Sequence, residues 1–198
     1  MIAEKASEGF SRRQIECDAV RSPQTLSEDD RRRVAMWAAD CAERVLGLFE
    51  AEAPGDDRPR KLIARARAFG RGELDTAEEI RRRFSGGVGA DEVESRAAAT
   101  AARAAGQAAA VCHMGAHALG AAAYAVVAVS LSSPDRPEAV DEEIAWQLEH
   151  MTPEVRLALA SLPPVGEDRS GPLGPGMLAS GRVGDVVRRL QAGIRSGP

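Results

Sequence analysis

Apolar residues recur along this chain at three- and four-residue intervals, the spacing that puts them on one face of a helix. Val34, Trp37, Cys41, Val45 and Leu48 form the first such stripe and predict a helix from just after Leu26 to about Ala51. Ser27 is placed to cap it, and Glu28, Asp29 and Asp30 fill its first turn, where the helix dipole favours acids. Pro54-Gly55 ends it. Leu62, Ile63, Ala66 and Phe69 predict a second helix to about Gly70, capped by Asp56 or Asp57, with Pro59 in its first turn. A short third helix starts at Asp75 or Thr76 and ends near Phe84, and Ser85 to Gly89 reads as a glycine-rich turn.

The stretch from Ala90 to Leu131 is dominated by Ala, Gly and Val, and no charged side chain falls between Arg103 and Asp135. Alanine is the strongest helix former, so this stretch predicts one long fourth helix, closed by Ser133-Pro134. Val140, Ile144, Leu148 and Met151 predict a fifth helix from Pro137, and Thr152-Pro153 opens a short sixth through Val155, Leu159 and Leu162. From Pro163 to Gly184 the chain is dense in Gly and Pro with few apolar residues, which predicts a disordered linker. Val183, Val186, Val187, Leu190 and Ile194 then mark a small amphipathic helix. No strand pattern and no internal repeat emerges. The expected fold is all-α: a single-domain bundle of about six helices around a long Ala/Gly-rich central helix, spanning residues 26–165. A flexible arm, residues 1–25 with a short helix around Ser11–Ala19, precedes it, and the linker with its amphipathic helix occupies 166–198.

Composition narrows the function. Aromatics are 4% of the 198 residues, so the core is built from small aliphatic side chains and its helices approach closely. The net charge of −4 and the lack of a basic face argue against nucleic-acid binding, which needs clustered Lys and Arg. The triplets Arg31–Arg33 and Arg81–Arg83 are flanked by acids and read as solvated helix faces. Three cysteines, Cys17, Cys41 and Cys112, without C-x-x-C spacing, fit a reduced cytoplasmic protein. Residues 1–16 hold no apolar signal-like run. Residues 108–131 are apolar over a bilayer-spanning length, yet they are mostly Ala and Gly, carry two His and lack flanking aromatic or basic belts. A buried bundle helix is the better reading, and no membrane partner is expected.

Candidate chemistry concentrates in few places. Gly106, Ala110, His113, His117, Gly120 and Tyr124 share one face of the expected long helix. An H-x-x-x-H pair can supply two ligands to zinc or another divalent transition metal, and the competing reading is two hydrogen-bonded core histidines. Met114 stands where the metalloprotease H-E-x-x-H motif needs its glutamate. Asp40 and Arg44, four apart at the edge of the first stripe, form a helix salt bridge or contribute to a site. Arg58 and Arg60 lie near a helix N-terminus, where the dipole disfavours cations; they need acidic partners, internal or external. No P-loop, dinucleotide fingerprint or G-x-S-x-G elbow occurs.

Taken in order, Trp37-Ala38-Ala39-Asp40-Cys41-Ala42-Glu43, Asp57-Arg58-Pro59-Arg60, Ala102-Arg103-Ala104-Ala105-Gly106, His113, His117 and Gly120-Ala121-Ala122-Ala123-Tyr124-Ala125 resemble the immunity-5-like family of bacterial polymorphic toxin systems. The resemblance covers about residues 26–165. It implies an all-helical cytoplasmic protein that binds and neutralises a toxin, with Asp40, Arg58, His113, His117 and Tyr124 as the shared positions. The residues themselves leave two other readings. One is a metal-dependent or small-molecule-acting enzyme on the His113/His117 face, with Asp40 as acid, base or ligand and Tyr124 as hydrogen-bond donor. The other is a homodimer through the Ala/Gly face. The leading expectation is a non-enzymatic binding protein without a cofactor, whose polar site draws on Asp40, Arg44, Arg58, His113, His117 and Tyr124.

Overall fold

A computed structural model describes residues 22–82 and 87–197. The expected arm therefore lies outside the described residues up to residue 21, as do Cys17, Phe84 and part of the Ser85–Gly89 turn. Among the described residues there are eight α-helices and no strand. They are α1 (Glu28–Glu50), α2 (Arg58–Gly70), α3 (Thr76–Arg82), α4 (Arg96–Ala110), α5 (His117–Ser132), α6 (Glu138–Glu149), α7 (Pro153–Ala160) and α8 (Gly181–Ser196). Single 3-10 turns at Pro23–Thr25 and Met177–Ala179 complete the set.

The caps read from sequence form as local chemistry dictates. Ser27 Oγ accepts from the Asp30 amide, and Thr152 Oγ1 from the Val155 amide. The first stripe is buried at Val34, Trp37, Cys41 and Val45, and continues through Leu46 and Phe49, with Leu48 only partly covered. Ile63, Ala66 and Phe69 bury the inner face of α2.

The single long central helix is corrected: the chain breaks at residues 111–116, and α4 and α5 pack along each other with α1 against both. The cause lies far away in sequence. The Gly115 amide donates to the Thr25 carbonyl and the Ala116 amide to that of Gln24, both at 3.0 Å, so the chain entering α1 answers amides that a continuous helix would have answered itself. Gly115 is required there because a Cβ would lie 2.4 Å from Leu26 Cδ1. The true centre is α5, buried without interruption from Ala118 to Ala128, as an all-apolar helix in a bundle should be. The helix count rises accordingly, and α8 joins the bundle against α5, α6 and α7.

The disordered linker is also revised. Leu173 and Leu178 are buried on the body, and the buried Gln24 stitches the segment down. Its Nε2 donates to Asp168 Oδ2 (2.6 Å) and to the Ser170 carbonyl (2.7 Å), while its Oε1 accepts from the Leu173 amide (2.9 Å). One buried amide and two leucines hold a segment whose composition alone promised little burial. Among the described residues no helix is long and apolar enough to cross a membrane.

Candidate functional site

The six sequence-selected residues do not form one site; they fall in four places. Asp40 and Arg44 border a groove of about 320 Å³ between α1, α2 and α6, shared with Glu43, Arg67, Trp146 and His150. The expected Asp40–Arg44 salt bridge gives way to longer-range pairing. Arg67, one turn from the end of α2, bonds Asp40 (2.7 Å) and Glu43 (2.5 Å), which holds the Glu43 carboxyl below its ordinary range. Arg44 instead crosses to α6: its Nε donates to Glu143 Oε2 (2.8 Å) and its guanidinium lies 3.9 Å from the Trp146 ring centroid.

This arrangement is pre-organised. Glu143 is 4% exposed and also accepts from Gln147 Nε2 at 2.9 Å, so the carboxylate that fixes Arg44 is itself fixed. His150 stacks on Trp146 with ring centroids 4.0 Å apart. Its Nδ1 sits 2.7 Å from the Trp146 carbonyl; a carbonyl only accepts, so Nδ1 donates and Nε2 takes no part in that bond. Two edges thus remain for an incoming group, the Arg44 Nη donors and the His150 Nε2 edge, beside a half-buried indole. Trp146, His150, Glu143 and Arg67 escaped the sequence reading. The signal for Trp146 was present, since it lies off the Val140–Ile144–Leu148 stripe and so faces outward as a large aromatic. Trp37, by contrast, is core and donates its indole N–H to the Gln147 carbonyl (2.9 Å).

His113 and His117 meet, though through the turn and not along one helix: His113 lies in the 111–116 break and His117 opens α5, with ring centroids 4.8 Å apart. His117 Nδ1 donates to Gln107 Oε1 at 2.8 Å. Burial, and then the neighbouring His113, push the His117 pKa down to about 3, so it is neutral at physiological pH. Among the described residues no group of three or more His, Cys, Asp or Glu is gathered around the pair.

Arg58 is held at the start of α2 by Asp56 (2.5 Å) and Glu92 (2.6 Å), and Arg60 by Glu50 (2.6 Å). The internal alternative is the one the structure takes. Tyr124 lies apart from all of these, in a second groove beside the start of α4.

The molecule is thus an all-α bundle that carries a cation–aromatic groove between α1, α2 and α6. The chain belongs to the family described as "Imm-5 like putative immunity protein", whose model matches residues 24–154. That span runs from the first 3-10 turn into α7 and includes the Arg44–Trp146–His150 groove, the histidine pair and Tyr124. No curated protein and no solved structure matches it.

Proposed function

We propose that this protein is an immunity protein that binds a toxin in the cytoplasm and blocks it, using the Arg44–Trp146–His150 groove as its recognition face. The family match carries the reading. The groove supports its location, because half-buried Trp and fixed Arg side chains are the residue types that dominate binding energy at protein interfaces. Blocking by occlusion needs a stoichiometric complex and no activated nucleophile. The test is co-expression with the toxin encoded beside its gene, followed by co-purification. Expected are restored growth and a stable complex, with Trp146→Ala weakening the purified complex by roughly thirtyfold or more. Absence of both rescue and complex overturns the immunity reading; full affinity in Trp146→Ala moves the interface to another face.

A further inference from the structure

The second groove, of about 600 Å³, lies between the first turns of α4, the later half of α5 and the start of α8. Tyr124 lines it and is 6% exposed, yet its hydroxyl has no hydrogen-bond partner among the described residues. The ring is buried while the hydroxyl opens to the groove, where it is available to a ligand. Around the groove stand Arg96, Arg103 and Arg182. Arg96 and Arg182 occupy the first turns of α4 and α8, where the dipole disfavours cations, and their side chains make no ion pair or hydrogen bond with any described residue. Arg103 has only Asp91, at 3.6 Å, and that carboxylate is almost wholly in solvent. Glu94 also borders the groove, leaving arginines in excess over acids.

The two helix starts differ in a useful way. At α4 the amides are answered: Ser95 Oγ accepts from the Ala98 amide, and Glu52 accepts from those of Glu94 and Ser95. At α8 they are not. Ser180 turns its hydroxyl to the Gly176 carbonyl (2.7 Å), so no side chain caps the helix, and its first turn holds no acid. One uncapped helix start, three arginines and a buried phenol therefore face a common space whose wall is apolar at Val127 and Leu131.

We propose that this groove binds a small organic anion, a phosphate or carboxylate carried on a short apolar body. Arg96, Arg103 and Arg182 hold the oxyanion, because guanidinium forks match both headgroups. The uncapped amides of α8 add to that field. The Tyr124 hydroxyl donates from the floor, and the apolar body lies on Val127 and Leu131. The groove's size falls in the range of small-molecule sites. This site is distinct from the Arg44–Trp146–His150 face and does not depend on the immunity reading.

Tyr124 is the only tyrosine in the chain, so the full-length protein labelled with carbon-13 in tyrosine reports from this groove alone. Phenyl phosphate, benzoate and inorganic phosphate are titrated at constant ionic strength, with chloride as the control. The expected result is a saturable shift of the tyrosine signal by phenyl phosphate or benzoate, with inorganic phosphate about tenfold weaker for want of the apolar body. The tighter of the two aromatic anions identifies the headgroup. Arg96→Ala and Arg182→Ala, both at exposed positions, each weaken binding roughly tenfold. Calorimetry on Tyr124→Phe shows a weaker complex with an unchanged melting curve. A shift that chloride reproduces, no saturation by either aromatic anion, or an affinity untouched in the Arg96→Ala/Arg182→Ala variant overturns the proposal.

Discussion

The start of α2 and the starts of α4 and α8 break the same rule and resolve it differently. Each puts arginine in a first helical turn, against the dipole. At α2 the fold brings carboxylates to the cations: Glu92 reaches Arg58 from 34 positions onward, and Glu50 reaches Arg60 from the end of α1. At α4 and α8 no carboxylate of the described chain arrives at Arg96 or Arg182. Asp56, two residues before Arg58, adds a local carboxylate there, whereas the first turn of α8 holds no acid. Among these helix starts, an arginine is held within the fold where a carboxylate answers it and is open to a ligand where none does. An answered cation should register in stability, and an unanswered one in ligand affinity.

The largest expected effect is at Arg44, whose carboxylate partner is buried. Arg44→Ala leaves Glu143, 4% exposed, with only Gln147 for company. Discounted for the partial exposure of Arg44 itself, the loss should be about 2–3 kcal/mol in urea unfolding. Arg44→Lys keeps the charge but loses the flat stack over Trp146 and should fall between. A change within about 0.5 kcal/mol for Arg44→Ala would remove the link between an answered cation and stability on which the comparison stands.

Acid titration separates the same classes. His117 is ordinarily protonated below 6.5 but is held neutral here to about pH 3 by burial and then by His113. The unfolded chain therefore binds a proton that the folded chain refuses; stability is whole above pH 6.5 and falls as the pH drops toward 3, by about 3 kcal/mol at pH 4. Asp56 and Glu92 are lowered chiefly by their hydrogen bonds from Arg58. Their contribution is present above their ordinary values of 3.8 and 4.5 and is lost below them. Melting temperature against pH should thus show two limbs. His117→Gln flattens the upper limb, and Arg58→Ala removes part of the lower, the rest staying with carboxylates such as Glu43 that other arginines hold; Arg96→Ala and Arg182→Ala touch neither. A lower limb wholly unchanged in Arg58→Ala would detach Asp56 and Glu92 from that arginine.

Legibility in the sequence followed the range of the interactions. Helices set by their own periodicity and caps, such as the one from Ser27 through Phe49, were readable because Ser27, the acidic first turn and the apolar stripe all act locally. The break at 111–116 was not, because Gly115 weakens the Ala-rich helix no more than Gly106 or Gly120 does; the competing acceptors are the carbonyls of Gln24 and Thr25. The ordering of residues 163–180 was equally hidden, since it depends on Gln24 meeting Asp168, Ser170 and Leu173 across the length of the chain. The candidate site was half legible. Asp40 and Arg44 mark one wall of the recognition groove, but their partners Arg67 and Glu143 come from other helices. The histidine pair stayed together for a different reason than helix geometry, being drawn close by the turn that breaks the helix.

The smallest expected effect is the sharpest, because it is a difference of sign. Arg58→Ala removes a cation that two carboxylates hold, and leaves Asp56 and Glu92 facing each other without it; the melting temperature should fall. Arg96→Ala and Arg182→Ala remove cations from the positive ends of two helices with no internal partner to strand, so each should raise stability by about 0.3 kcal/mol at low ionic strength. The gain should vanish near 1 M salt, where screening shortens to about 3 Å. Adding phenyl phosphate should reverse the order: the parent, whose groove is intact, is stabilised by the ligand, and the two variants less so. A fall in melting temperature for Arg96→Ala as large as that for Arg58→Ala would mean that the protein answers both arginines alike, and the comparison would then fail at its root.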